Sequence, residues 1–191
     1  MGTASKSSPP APPSELVAYT DGASRGNPGP SGYGVVIQDA RGTTLETLSQ
    51  FVGDATNNVA EYRGLVAALE YAVSRQTRRL KIYCDSELVA RQMQGRYRVQ
   101  SLALKPLYER ARQLAGQISH FSIENLPREQ NRQADLLANK ALDETLERRA
   151  APPISRIHSF AAVVEAGKLK PLPPLPDLEE GKEYEVRACK R

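Results

Sequence analysis

The chain predicts an α/β fold: a five-stranded mixed sheet flanked by helices, with a small C-terminal β appendage. Three observations predict it. Three strand-like segments precede any helical pattern, so the sheet begins as a meander. Helical and strand periodicities then alternate, giving the order β-β-β-α-β-α-α-β-α. Prolines mark the edges: of fourteen, four fall in residues 9–13 and six between 152 and 176, outside the patterned region.

The first strand is the apolar run at residues 16–20, which stops at Asp21-Gly22. Residues 33–38 form the second and 43–52 the third, joined through the turn residues 39–42 as an antiparallel hairpin. Val59, Tyr62, Val66, Leu69 and Val73 recur at helical spacing across residues 58–74. Residues 80–84 are a short strand ending at Asp85, and residues 86–94 and 102–116 read as helices. Residues 118–126 alternate as a strand does. Residues 131–146 close the unit as a helix with Ala134, Leu137, Ala138, Ala141 and Leu142 on one face. The expected organisation is a disordered tail at residues 1–14, a compact domain at 15–149, a linker at 150–154 and a small β-rich segment at 155–191.

Composition narrows the setting. A net charge of +4 and a pI near 9.1 permit a polyanionic partner without demanding one. Cys84 lies in an apolar strand pattern and Cys189 near the end, so a disulfide framework is not expected and the setting reads as cytoplasmic. No apolar run approaches the roughly 18 residues of a membrane span. The first fifteen residues lack the apolar core of a secretory signal.

Four acids stand where strands end or helices begin: Asp21, Glu61, Asp85 and Asp135. Each alone has a plain structural explanation. Asp21 opens a Gly/Pro turn, where three glycines allow close backbone approach to a ligand. One of Thr56, Asn57 and Asn58 is expected to cap the first long helix. With Asn58 as cap, Glu61 becomes the reciprocal partner of a capping box. Asp85-Ser86 reads as a cap after a strand, and Asp135 suits the positive end of its helix. The joint pattern has no comparable explanation. Two carboxylates about 4 Å apart repel by roughly 4 kcal/mol at an effective dielectric near 20. Four in one pocket call for Mg²⁺ or Mn²⁺, hard cations that take oxygen ligands, and hence for metal-assisted phosphoryl chemistry.

In order and spacing, the stretches TDGASRGNPGPSGYG, TNNVAEYRGLVAALEYA, CDSELVARQMQG and PREQNRQADLLANKAL resemble type 1 ribonuclease H. That family cuts the RNA strand of an RNA/DNA hybrid. The resemblance covers about residues 15–148 and implies two Mg²⁺ ions about 4 Å apart on the four acids, with Mn²⁺ as a substitute. By position, Asp21 then serves both ions, Glu61 and Asp85 one, and Asp135 the other. The products carry 5′-phosphate and 3′-hydroxyl ends. The resemblance also implies recognition of 2′-hydroxyls by the backbone of Gly22, Ala23 and Ser24, with Asn27, Asn57 and Asn58. It places Thr56 against a DNA-strand phosphate. Tyr97 is the candidate to pack on deoxyribose, between Arg96 and Arg98. The rival readings are a non-catalytic hybrid-binding module, or a related nuclease acting on double-stranded RNA or RNA–DNA junctions.

Two departures stand out. The loop before Asp135 contains no histidine, unlike that of the better-known bacterial members; His120 is the nearest, and Arg128 or Glu129 is the candidate to assist product release. The stretch 94–106 is compact where those members carry a basic protrusion, which brings the sequence closer to the branch found in archaea and many Gram-positive and actinobacterial lineages. Residues 155–191 weakly resemble small β-rich antitoxin proteins, with a hairpin turning at Ala166-Gly167 and a strand alternating Tyr184, Val186 and Ala188. So short a segment is expected to dock or to dimerise, leaving the chain a monomer or a dimer. Lys168, Lys170, Arg187, Lys190 and Arg191 offer it a nucleic-acid surface.

Overall fold

Strand propensity and hairpin chemistry build the first half of the domain. A computed structural model describes residues 15–150 and 161–172. Its first three strands are β1 (Glu15–Ser24), β2 (Gly29–Asp39) and β3 (Thr44–Ala55). They pair antiparallel in sequence order. After α1 (Asn57–Ser74), strand β4 (Arg79–Cys84) pairs parallel to β1. Helices α2 (Glu87–Met93) and α3 (Lys105–Ala115) lead to β5 (His120–Asn125), parallel to β4. A short 3-10 turn at Arg128–Gln130 precedes α4 (Arg132–Ala150). The sheet order is β3-β2-β1-β4-β5, the mixed five-stranded sheet expected from the sequence.

Side-chain alternation along β2 assigns the helices to the two faces. Tyr33 faces α1, while Gly32 and Gly34 face α4. The larger core lies on the α1 face, where Leu16, Ala18, Val35, Ile37, Leu80 and Ile82 meet Tyr62, Leu65 and Leu69. Val89 and Met93 of α2 and Leu114 of α3 complete that core. On the other face α4 buries Ala134, Ala138 and Leu142. Cys84 is a buried free thiol, as its strand pattern predicts.

Three expectations need correction. β1 does not stop at Asp21: pairing with β2 carries it three residues further, with Asp21 opposite Gly34 and Ser24 opposite Ser31. The Gly-rich stretch is thus mostly hairpin, turning only between Ser24 and Gly29. The cap of α1 is Thr56, whose hydroxyl accepts from the Val59 amide. Glu61 therefore sits too deep in the helix for a capping box. Finally, α3 begins at Lys105 rather than at residue 102, with Pro106 in its first turn.

A second unit begins at Ala151. Its described part is the hairpin β6 (Ala161–Glu165) and β7 (Lys168–Leu172). It turns at Ala166 and Gly167, both with positive φ, where the sequence places the turn. The expected tail at 1–14, most of the linker at 150–154, the strand around Tyr184–Ala188 and the basic residues Arg187, Lys190 and Arg191 lie outside the described residues.

Candidate active site

Strand register puts the first two acids side by side. Thr20 of β1 pairs with Cys84 of β4, so Asp21 and Asp85 are the next residues along two parallel neighbours. Gly22 then lets α1 close in. A Cβ there would lie 2.2 Å from the Glu61 backbone nitrogen, so any side chain would push α1 away. Gly34 does the same for α4, with a built Cβ 2.2 Å from the Ala134 carbonyl oxygen. These two close approaches bring Asp135 within electrostatic reach of Asp21 and Glu61 within reach of Asp85.

Buried hydrogen bonds lock the frame. Asn131, 1% exposed, donates its side-chain amide to the Thr20 carbonyl at 3.0 Å, and its backbone carbonyl accepts the Asp135 amide at 3.1 Å. One residue thus ties β1, just before Asp21, to the first turn of α4. Across the site, the Tyr62 hydroxyl donates to Gln92 at 2.8 Å and joins α1 to α2. Sequence reasoning did not find Asn131. An asparagine at a helix start signals a cap, but a partner 111 residues away leaves no local trace.

The electrostatics of the pocket are strained. Burial first, then the neighbouring Asp85 and Asp135 charges, push the Asp21 carboxyl up to about 8, although the Gly22 amide donates to it. Burial also lifts Glu61 to about 7, despite stabilisation of its charge by Ser86 and Asn57. The Asn57 side-chain amide donates to Glu61 Oε1 at 2.9 Å. The other oxygen, Oε2, is buried without a hydrogen-bond partner. Ionisation of the pocket is thus disfavoured beyond what the nearby donors compensate.

Among the described residues, no three His, Cys, Asp or Glu side chains are gathered tightly enough to hold an ion. Asp135 is engaged elsewhere: Arg128 Nη2 reaches its Oδ1 at 2.6 Å. The orphaned Glu61 oxygen, the raised acids and an all-carboxylate donor set nevertheless fit a hard divalent cation.

The remaining candidates are spread around this centre. Gly22, Ala23 and Ser24 lie in the last residues of β1, and Asn27 in the turn that follows. Asn27 Oδ1 accepts the Asn57 amide at 3.1 Å, so the turn is fastened to the start of α1. Thr56 caps that helix, with Asn57 and Asn58 in its first turn. Tyr97 is exposed in the loop after α2, with the Arg91 guanidinium 5.3 Å over its ring. His120 starts β5 opposite Arg79, at the far end of the sheet, and is no stand-in for a loop histidine. Arg128 is the loop residue that reaches the acids.

Comparison with known proteins places the fold in a family. A family model described as reverse transcriptase-like matches residues 19–141. A bifunctional protein of Mycobacterium tuberculosis is 46% identical over 138 residues, which is 72% of this chain and 38% of that protein. Ribonuclease HI of Halobacterium salinarum is 42% identical over 127 residues, covering 66% of this chain and 64% of the relative. The chain thus spans less than two thirds of these relatives. The solved N-terminal ribonuclease H domain of the mycobacterial protein superimposes with a TM-score of 0.66 at 47% identity, covering 68% of this chain and 99% of that one. LC11 ribonuclease H1, solved with an RNA/DNA hybrid, gives 0.66 at 40% identity, covering 69% and 99%. The chain belongs to the type 1 ribonuclease H family, and its sheet and helices are the ribonuclease H-like fold.

Proposed function

We propose that this chain hydrolyses the RNA strand of RNA/DNA hybrids, leaving 5′-phosphate and 3′-hydroxyl ends. The observation that carries the reading is the buried acid pocket, with Glu61 Oε2 unpartnered and Asp21 held up near 8. A pure binding module gains nothing from such repulsion. A hybrid-bound relative supports the substrate class.

Asp21, Glu61, Asp85 and Asp135 are the residues that would hold two divalent cations, Mg²⁺ or Mn²⁺. Bound there, such cations would supply Lewis acidity to an attacking water and to the phosphate oxygens. The protein supplies position. Asn57 orients Glu61, Asn131 fixes the Thr20–Asp21 backbone against α4, and Gly22 keeps α1 close. Gly22, Ala23, Ser24, Asn27, Asn57 and Asn58 then face the RNA strand. Thr56 and Tyr97 meet the DNA strand. Arg128 holds Asp135 between turnovers and assists product release.

Residues 15–149 form the catalytic domain in this reading, and 155–191 an attached β-rich segment that leaves the chain a monomer or a dimer. A cytoplasmic setting is proposed; no described helix is long and apolar enough to cross a membrane. The test compares a hybrid, double-stranded RNA and a duplex with a single ribonucleotide, each with Mg²⁺ or Mn²⁺. Only the hybrid is cut efficiently, and Asp21→Asn binds it without cutting. An intact RNA strand, or a fully active Asp21→Asn, overturns the reading. Deleting residues 151–191 and measuring mass and hybrid affinity assigns the segment.

A further inference from the structure

The turn that follows β1 is clamped from two sides, and one clamp has no part in the site described above. Arg25 Nη1 donates to Asn139 Oδ1 at 2.9 Å, and Nη2 to Asp143 Oδ1 at 3.0 Å. Asn139 and Asp143 are one helical turn apart on α4, continuing the stripe that begins at Asp135. Asn139 also donates its amide to the Asp135 carbonyl at 2.9 Å. The Arg25 backbone amide bonds the Pro30 carbonyl at 2.8 Å, which closes the turn on itself. The other side of the turn is fastened through Asn27 to the start of α1.

We propose that Arg25 is a positioning residue for RNA recognition. By straddling Asn139 and Asp143 it holds the Gly22–Asn27 segment in register with α4, so that 2′-hydroxyl contacts and the acid pocket act on the same stretch of RNA. The inference rests on the functional reading above. Stability is a poor explanation for the clamp. Both charged side chains are about half exposed, at 46% and 56%, and exposed ion pairs add little to folding. A planar fork spanning two acceptors instead fixes direction. A flexible turn would have to be ordered by each substrate, at the expense of affinity.

The test uses Arg25→Ala, Asp143→Ala and the double variant in the full chain. The substrates are an all-ribose hybrid and one with a single 2′-deoxynucleotide beside the cleavage site. Each variant raises KM roughly three- to tenfold, the scale of one modest interaction, with kcat within about twofold and Tm within about 2 °C. The double variant is no worse than Arg25→Ala, because that change alone removes both arms of the clamp whereas Asp143→Ala removes only one. The 2′-deoxy substitution harms the variants less than the wild type. The proposal is overturned if KM is unchanged, or if Asp143→Ala is silent while Arg25→Ala is not; in the latter case Arg25 touches phosphate directly. If the wild type fails to cut hybrid at all, it is the functional reading that falls.

Discussion

Arg128 and Asp135 form a 2.6 Å ion pair at the mouth of the acid pocket. The arginine side chain is 70% exposed and the aspartate 24%. An exposed pair of this kind contributes at most about 1 kcal/mol to folding, so its effect is on access to Asp135. Arg128→Ala is therefore expected to leave thermal stability almost unchanged. It should lower the Mg²⁺ concentration for half-maximal activity by roughly two- to fivefold, the equivalent of that energy. A metal titration of initial rates checks this; an unchanged or raised midpoint removes the competition argument.

The raised carboxyls make the metal-free protein sensitive to pH. Folded Asp21 keeps its proton up to about 8, from an ordinary value of 3.8, and Glu61 up to about 7, from 4.5. The unfolded chain releases both protons near pH 4. The folded state thus binds more protons between pH 4 and 8, and stability falls as pH rises through that window. The slope is at most about 1.4 kcal/mol per pH unit for each group. Melting curves in chelator from pH 5 to 9 should show the decline. Asp21→Asn, which cannot ionise, should flatten it and melt higher than wild type at pH 8.

Divalent cations reverse that penalty. Adding Mg²⁺ or Mn²⁺ at pH 8 should raise the melting temperature, because a cation that binds only the folded state at 100 times its Kd adds about 2.7 kcal/mol. The rise should be smaller at pH 5, where protons compete for Asp21 and Glu61, and smaller still in Asp21→Asn. An equal rise at both pH values would place the ion elsewhere.

Two glycines are predicted to be intolerant of a single methyl group. In Gly22→Ala and Gly34→Ala the added carbon would sit 2.2 Å from a backbone atom of α1 and α4, respectively. Overpacking of this kind costs roughly 1–3 kcal/mol, and urea denaturation measures it. Hybrid cleavage should fall further than stability alone explains, since each change moves one acid away from the pair on β1 and β4. Wild-type stability in either variant would show that the helices yield without strain.

The sheet was legible because each strand and helix carries its own local period. The turn at Ala166-Gly167 was legible for the same reason: hairpin geometry is written in two residues. Element ends were less so. The length of β1 beyond Asp21 depends on pairing with β2, a partner that a local pattern does not name. Of the three cap candidates Thr56, Asn57 and Asn58, Thr56 caps α1, and the Asn57 amide is met by Asn27 from another loop.

By itself, the sequence picked out four acids at the junctions of strands and helices and placed Gly-rich backbone next to the first. Composition, spacing and junction position suffice for that. Only the tertiary structure decided how those acids are held. The Asn131 bond to Thr20, the engagement of Asp135 by Arg128, the orphaned oxygen of Glu61 and the Arg25 clamp all join residues far apart in the chain or depend on burial. Burial and through-space charge arise only once the chain is packed, and they lift the Asp21 and Glu61 carboxyls well above the ordinary range.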